Sequence, residues 1–272
     1  MIQNTGAWVV DTDVQIFRLG IDAGLRDAAK GKRADRAPVA VTAFSRLEFK
    51  GNYVKCLQLL RRKVQDSDDA MSVFARVESS GGRKALMMLR QLVKLLGGVV
   101  LLRAPWPKVQ GKLVTLLDAE ITTAWRWFTD SVDHFVDDLA CDRAAEGPEL
   151  IGAHWVTTIP ECRGSNTTCR VVEFFRENDG ALHKLAEGLS EAPAGSLSAE
   201  LEKIAAVLRQ TFVAGRFPWE GETCRSVGDL LIALQALPRR GLVTSNRAEH
   251  DTLARLLGYQ VDFLSVAANR LK

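Results

Sequence analysis

The chain has no apolar run long enough to cross a membrane. Its longest, at 92–102, is short and contains Lys94 and two glycines. No secretory signal is visible at its beginning, because the polar first residues lead quickly to Asp11 and Asp13. Internal repeats and low-complexity tracts are absent as well. These absences predict a cytoplasmic protein that has no membrane partner.

Cysteines are few, and their number is odd. Five of them are spread along 272 residues, which is not the pattern of a secreted disulfide framework. Three cysteines and one histidine fall within 29 residues and would be soft ligands for zinc. Their spacing fits no common zinc finger, so unrelated cysteines and a surface histidine are the favoured interpretation. The four residues are Cys141, His154, Cys162 and Cys169.

Neither sign of charge dominates the chain. Its net charge of +3 permits nucleic-acid binding without requiring it. Apolar residues make up 47% and charged residues 25%, so a folded protein with a sizeable core is expected. Basic residues are concentrated at 46–63, where six of them accompany one acid, Glu48. Such a run is either a solvated helix face or a surface that binds phosphates. The six are Arg46, Lys50, Lys55, Arg61, Arg62 and Lys63.

Short apolar runs near both ends of the chain predict the strands of one parallel sheet. They lie at 7–10, 39–42, 241–244 and 259–264. Helical patterns are found between and beside these runs, at 14–30, after Ser45, at 227–237 and in a segment ending at Leu257. Alternating strands and helices at both ends are typical of an α/β fold.

The middle of the chain is helical in character. Apolar residues recur there at three- and four-residue spacing, and no strand alternation of comparable quality is present. The predicted helices lie at 53–64, 83–96, 112–141, 171–189 and 198–212, with an irregular segment at 147–166. The sequence therefore predicts an α/β core built from 1–52 and 224–272, with an all-α insertion at 53–223.

Acidic residues occupy the positions at which a parallel sheet presents its active edge. Asp11 and Asp13 follow the first strand, and Glu48 lies in the first turn of the helix after the second. Asp229 opens the helix before the third strand, and Glu249 comes one turn after that strand. Carboxylates gathered at the carboxyl ends of strands repel one another, and a hard divalent ion removes the conflict. Mg²⁺ or Mn²⁺ at this edge would activate a water for phosphodiester hydrolysis.

The residues around these acids resemble the four motifs of PIN-domain nucleases, in the same order along the chain. Trp-Val-Val-Asp-Thr-Asp-Val at 8–14 is similar to the first motif. Ala-Val-Thr-Ala-Phe-Ser-Arg-Leu-Glu-Phe-Lys-Gly at 40–51 is similar to the second. Gly-Asp-Leu-Leu-Ile-Ala at 228–233 and Gly-Leu-Val-Thr-Ser-Asn-Arg-Ala-Glu-His at 241–250 resemble the third and the fourth.

The resemblance implies a PIN-like three-layer fold with a central parallel sheet, and cleavage of RNA by metal-activated water that leaves a free 3′-hydroxyl. The implied metal ligands are Asp11, Glu48, Asp229 and Glu249. The implied polar supports are Thr12, Asp13, Thr244 and Asn246. RNA phosphates beside the site would be bound by the basic run at 46–63 and by Arg239, Arg240 and Arg247.

The resemblance also implies the cofactor and the partners. Mg²⁺ or Mn²⁺ is the expected metal, RNA the expected substrate, and an antitoxin, another protein or a second copy of the chain an expected partner. The role would be that of a toxin, a processing nuclease or a defence nuclease. The insertion would form a lid or a wall that selects the RNA or docks the partner.

Two departures from the family leave other functions open. The fourth acid is Glu249 where aspartate is usual, and 180 residues separate Glu48 from Asp229, well beyond the gap in compact PIN domains. A PIN-like scaffold that no longer cuts and serves as an interaction module is one alternative. A haloacid-dehalogenase-like phosphatase with Asp11 as nucleophile and Asp13 as acid/base is another. Only 28 residues follow Thr244, too few for the later motifs of that phosphatase family.

Overall fold

The computed structural model describes residues 6–18, 37–97, 104–145, 147, 149–151, 154–156, 169–193, 195–214 and 223–264. Its central feature is a sheet of five strands, β1 (Trp8–Val10), β2 (Val39–Thr42), β3 (His134–Val136), β6 (Gly241–Thr244) and β7 (Val261–Phe263). The strands lie in the order β3-β2-β1-β6-β7. Every neighbouring pair in this sheet runs parallel. The α/β class and the parallel sheet predicted from the sequence are therefore confirmed.

Helices account for most of the remaining described residues. They are α1 (Thr12–Arg18), α2 (Ala43–Glu48), α3 (Lys55–Gln65), α4 (Ala70–Glu78), α5 (Gly82–Gly97), α6 (Trp106–Asp130), α7 (Asp142–Ala145), α8 (Val171–Glu177), α9 (Asp179–Ser190), α10 (Ala199–Ala214), α11 (Thr223–Ser226), α12 (Gly228–Ala236) and α13 (Arg247–Leu257). A π-helical segment, Phe49–Val54, joins α2 to α3. Most of the helix predicted at 14–30 falls in 19–36, outside the described residues.

Each face of the sheet carries its own apolar core, because successive strand residues point to opposite faces. On one face, Val10 and Val243 pack with residues of α3, α4, α5 and α6. On the other face, Val9 and Leu242 pack with residues of α8, α9, α10, α12 and α13. Helices from the middle of the chain thus cover both faces, and the arrangement has three layers.

The prediction of an all-α insertion at 53–223 is wrong, because this segment supplies a strand to the central sheet. The helix predicted at 112–141 ends at Asp130, and β3 then pairs with β2. Asp133 starts this pairing by exchanging two hydrogen bonds with Val39, one from its backbone N–H and one to its carboxylate, each 2.8 Å long. A further antiparallel pair, β4 (Glu149–Ile151) and β5 (His154–Val156), lies in the segment predicted to be irregular.

Among the residues described, none of the helices combines the length and the apolar character needed to span a bilayer.

Candidate metal site

Asp11 is the buried centre of the acidic cluster. It follows β1 directly, and its backbone N–H donates to the carbonyl of Val243 at 3.0 Å, which fixes it beside the end of β6. Only 5% of the residue is exposed. Its carboxylate accepts hydrogen bonds from the Thr12 N–H at 2.6 Å and from the Thr244 hydroxyl at 2.8 Å. Thr244, predicted as a support, thus joins the ends of two adjacent strands at the site.

Asp13 lies in the first turn of α1 and is held by the loop after β6. Its carboxylate accepts hydrogen bonds from the backbone N–H and the hydroxyl of Ser245. It also accepts one from the backbone N–H of Val14. Ser245, which the sequence did not single out, therefore anchors this carboxylate, and Asp13 connects the two ends of the chain.

Glu48 reaches the cluster through Thr12. The prediction that it lies in the first turn of its helix is wrong, because α2 begins earlier, at Ala43, and Glu48 is its last residue. Thr42 caps this helix by accepting a hydrogen bond from the Ser45 N–H at 2.9 Å. The Thr12 hydroxyl lies 2.7 Å from Oε2 of Glu48 and donates to it. The π-helical segment begins at the next residue, and such segments are frequent at functional sites.

Asp229 approaches the cluster from the start of α12. The preceding residue, Gly228, packs so closely against the Phe44 ring that a Cβ there would lie 2.4 Å from a ring carbon. This close approach places the start of α12 next to α2. The Asn246 side-chain amide donates to the Asp229 carboxylate at 3.3 Å, and the Asn246 backbone N–H donates to the Thr244 hydroxyl at 3.0 Å.

His250 is a member of the site that the sequence reasoning missed. It lies on α13 with none of its surface exposed. Its Nε2 atom is 3.7 Å from Oδ2 of Asp11 and 3.6 Å from Oδ1 of Asp229. One ligand atom from each of these three residues lies within 4.8 Å of the other two, so the group has the size to hold a metal ion. The only signal in the sequence was that His250 shares the buried stripe of α13 with Leu253 and Ala254.

Glu249, the implied fourth acid, is not part of this group. It is buried, but it precedes His250 directly on α13, and adjacent residues of a helix point in directions about 100° apart. The side chain of His250 is the one that approaches Asp11 and Asp229. A role of Glu249 in metal binding stays a prediction.

Burial and mutual repulsion make the cluster electrostatically unfavourable. Burial raises the pKa of Asp11 well above its usual range, and the charges of Asp13, Glu48 and Asp229 raise it further, against the hydrogen bond from Thr244. Burial also raises the pKa of Asp13, although the hydrogen bonds from Ser245 oppose the shift. A divalent cation between these groups would remove this repulsion.

Three of the basic residues predicted to bind phosphates are engaged inside the protein. Lys50 is fully buried and donates to the Arg143 carbonyl at 3.1 Å. Arg61 is buried and bonded to Asp118 at 2.6 and 3.0 Å. The Arg239 side chain is 6% exposed and paired with Asp138. These three do not lie on a surface that an RNA could reach, because their side chains are buried and bonded within the protein.

The remaining basic residues predicted to bind phosphates do not all lie at the edge of the sheet that carries the acids. Arg240 precedes β6 and therefore lies at the amino edge of the sheet, opposite the acids. Arg247 begins α13 at the carboxyl edge, where its guanidinium lies 4.3 Å from the Phe263 ring centre. Arg46, on α2 at the same edge, is half-buried, and its guanidinium lies 5.1 Å from the Trp125 ring centre and 4.8 Å from that of Phe135. Two further residues on α3, Lys55 and Arg62, are exposed, whereas Lys63 donates to a carbonyl of α4.

The proposed zinc ligands are only partly described. Neither Cys141 nor Cys169 is in a disulfide bond, and both are partly buried. Burial raises the pKa of Cys141. Cys162 lies outside the described residues, so the favoured interpretation as unrelated residues and the alternative of a zinc site both stay predictions.

Comparison of the chain with models of protein families, with curated proteins and with solved structures gave no match. The resemblance to PIN-domain nucleases therefore stays a prediction from the four motifs, and function has to be inferred from the geometry of the site.

Proposed function

We propose that this protein is a metal-dependent nuclease that hydrolyses RNA phosphodiester bonds with an activated water. The observation that carries the proposal is the convergence of Asp11, Asp229 and His250, with Asp13 and Glu48 beside them, at the carboxyl edge of a parallel sheet. Ligand sites in open α/β sheets lie at this edge. The four motifs resembling those of PIN domains supply the same acids in the same order.

The residues present fit a divalent cation. Their oxygen and nitrogen atoms lie within 4.8 Å of one another, and the buried Nε2 atom of His250 has no hydrogen-bond partner within the part of the chain described. Mg²⁺ or Mn²⁺ bound there would lower the pKa of a water and stabilise negative charge on the leaving oxygen.

The surrounding residues would hold the ligands in place. Thr244 and Asn246 fix the carboxylates of Asp11 and Asp229 through hydrogen bonds, as groups around metal ligands commonly do. Glu48, oriented by Thr12, adds negative charge on the side of α2. The arrangement thus has both ligands and orienting groups, which a surface cluster of acids would lack.

The first test is cleavage of a mixed pool of structured and single-stranded RNAs, with Mg²⁺ or Mn²⁺ and with EDTA. We expect cleavage that requires the metal and falls at least about 100-fold in Asp11→Asn, since changes in groups around metal ligands alone cost up to that much. The matched control is Asp251→Asn, an exposed aspartate on α13, which should cut like wild type. Equal cutting by Asp11→Asn and wild type would refute the proposal, and no cutting by either would favour the interaction module.

Arg247 is expected to contact the RNA backbone, because it is an exposed cation at the edge that carries the acids. In a protein inactivated by Asp11→Asn, Arg247→Ala should weaken RNA binding and reduce the slope of log affinity against log salt by about one. The matched control is Arg240→Ala, since Arg240 is also exposed and lies over an aromatic ring, but at the opposite edge. Equal losses in the two variants would contradict this position for the RNA.

A further inference from the structure

His250 and Tyr259 form a buried pair directly behind the acids. Nδ1 of His250 and the Tyr259 hydroxyl oxygen are 3.0 Å apart. The same hydroxyl donates to the backbone carbonyl of His250, with an oxygen-to-oxygen distance of 3.5 Å. Tyr259 is itself buried, so bulk water does not compete for these hydrogen bonds.

The Tyr259 hydroxyl serves Nδ1 as donor or as acceptor, depending on the histidine tautomer. When its hydrogen lies on the carbonyl, its oxygen accepts the hydrogen of Nδ1. A neutral imidazole with its proton on Nδ1 has a lone pair on Nε2. Metal-binding histidines commonly use this arrangement, in which the nitrogen away from the metal donates to an orienting group.

Nε2 of His250 lies close to two carboxylates. Nε2 is 3.7 Å from the nearer oxygen of Asp11 and 3.6 Å from that of Asp229, and within the described residues it has no hydrogen-bond partner. In the tautomer with its proton on Nδ1, a cation between these three atoms would remove the repulsion between the lone pair and the two carboxylates. Two atoms each about 2.1 Å from one ion are at most about 4.2 Å apart, and both distances from Nε2 are shorter than this.

We propose that His250 is a nitrogen ligand of the metal site, oriented by Tyr259, and that it makes the site select Mn²⁺ over Mg²⁺. This inference rests on the proposed function and deepens it by naming the metal class. Mg²⁺ favours oxygen ligands in near-ideal octahedral geometry, whereas imidazole is a ligand of transition metals. An acid-only site would show the smaller preference for Mn²⁺ that carboxylates give by themselves.

The test uses Mn²⁺ alone, without RNA. Pulsed electron paramagnetic resonance of bound Mn²⁺ should detect a coupled nitrogen, and selective ¹⁵N labelling of histidine should change that signal. The coupling should disappear in His250→Gln. Calorimetric titrations with Mn²⁺ and Mg²⁺ should show the ratio of the two affinities falling about tenfold or more in this variant.

Tyr259→Phe tests the positioning role separately, because it keeps the ring and removes the hydroxyl. We expect Mn²⁺ affinity to fall about tenfold, with a smaller change for Mg²⁺. His183→Gln is the control, since His183 is an exposed histidine on α9 and should leave both affinities unchanged.

The outcomes separate this inference from the proposed function. Mn²⁺ binding that depends on Asp11 but shows no histidine nitrogen, with an unchanged affinity ratio in His250→Gln, would overturn the inference and leave the nuclease proposal standing. This would also be the result if the imidazole were protonated and paired with the two carboxylates. Absence of any Asp11-dependent Mn²⁺ binding would overturn both. If His250→Gln does not fold, the labelling experiment on the wild-type protein decides.

Discussion

Metal-free protein carrying Asp11→Asn is expected to melt at a higher temperature than metal-free wild type at neutral pH. The Asp11 carboxylate is buried beside three other acids, and both effects raise its pKa, so its ionised form destabilises the folded state. Asparagine keeps the shape and an oxygen to accept the Thr244 hydrogen bond, but it removes one negative charge. Functional sites often cost stability in this way.

Bound metal should make wild type melt at a higher temperature than Asp11→Asn. Free Mn²⁺ at 100 times its dissociation constant stabilises a protein by about 2.7 kcal/mol, which for a chain of this size raises Tm by roughly 5–10 °C. We expect that shift in wild type and little or none in Asp11→Asn. Thermal melts with EDTA and with Mn²⁺ measure both quantities, with Asp251→Asn as the control that should follow wild type.

The pH dependence has a definite sign. The folded-state pKa of Asp11 lies above its unfolded value, so the carboxyl group destabilises the metal-free fold above the folded pKa. The destabilisation is relieved as pH falls through that raised pKa, and none remains below the unfolded value. The difference in Tm between the variant and wild type should therefore shrink on acidification. A metal-free variant less stable than wild type at neutral pH would mean that the hydrogen bonds from Thr12 and Thr244 outweigh the repulsion.

The strands that carry the acids could be predicted because their signals are local. A four-residue apolar run at 241–244 predicted β6 with the bounds it has in the structure, and the run at 39–42 did the same for β2. The carboxyl ends of parallel strands meet at one edge, so the proximity of Asp11 to Thr244 followed from strand direction. The sequence therefore predicted both the sheet and the edge at which the acids gather.

The edge strand β3 could not be predicted, because its identity depends on distant residues. It contains three residues, two of which are exposed, and it follows a helix of 25 residues that shows strong apolar periodicity. What makes it a strand is its pairing with β2, begun by the hydrogen bonds between Asp133 and Val39. Tertiary pairing of this kind leaves no periodic signal in so short a segment.

The contacts of His250 and of the basic residues could not be predicted from the sequence either. The pattern of α13 shows that position 250 is buried, but not that Nε2 meets two carboxylates while Nδ1 meets Tyr259. The run at 46–63 looked like one charged surface, yet Lys50 and Arg61 point into the protein. Periodicity shows which face of a helix is buried; it does not show what a buried polar group contacts.

Asp229→Asn and Glu249→Gln are expected to differ sharply in their rates of cleavage. The motifs imply that both residues are metal ligands, whereas the structure places only Asp229 in the group that can hold an ion. Asp229 offers an oxygen 3.6 Å from Nε2 of His250 and belongs to the group that can hold an ion. Its amide variant should lose at least about 100-fold in rate, since it removes a ligand, whereas loss of an orienting group already costs 10- to 100-fold. Glu249 lies outside that group, so we expect its variant to stay within about tenfold of wild type.

The contrast is meaningful only if both variants fold. Asp229 is about a quarter exposed, and its amide can still accept the hydrogen bond from Asn246, so a melting temperature near that of metal-free wild type is expected. The Mn²⁺ affinity of each variant then separates a loss of metal from a loss of chemistry. Equal, severe losses in both variants would mean that Glu249 is also a metal ligand. Glu249 would then have to reach the metal through a rotation of α13 on metal binding. Full activity in a folded Asp229→Asn protein would remove the acidic cluster from the reaction altogether.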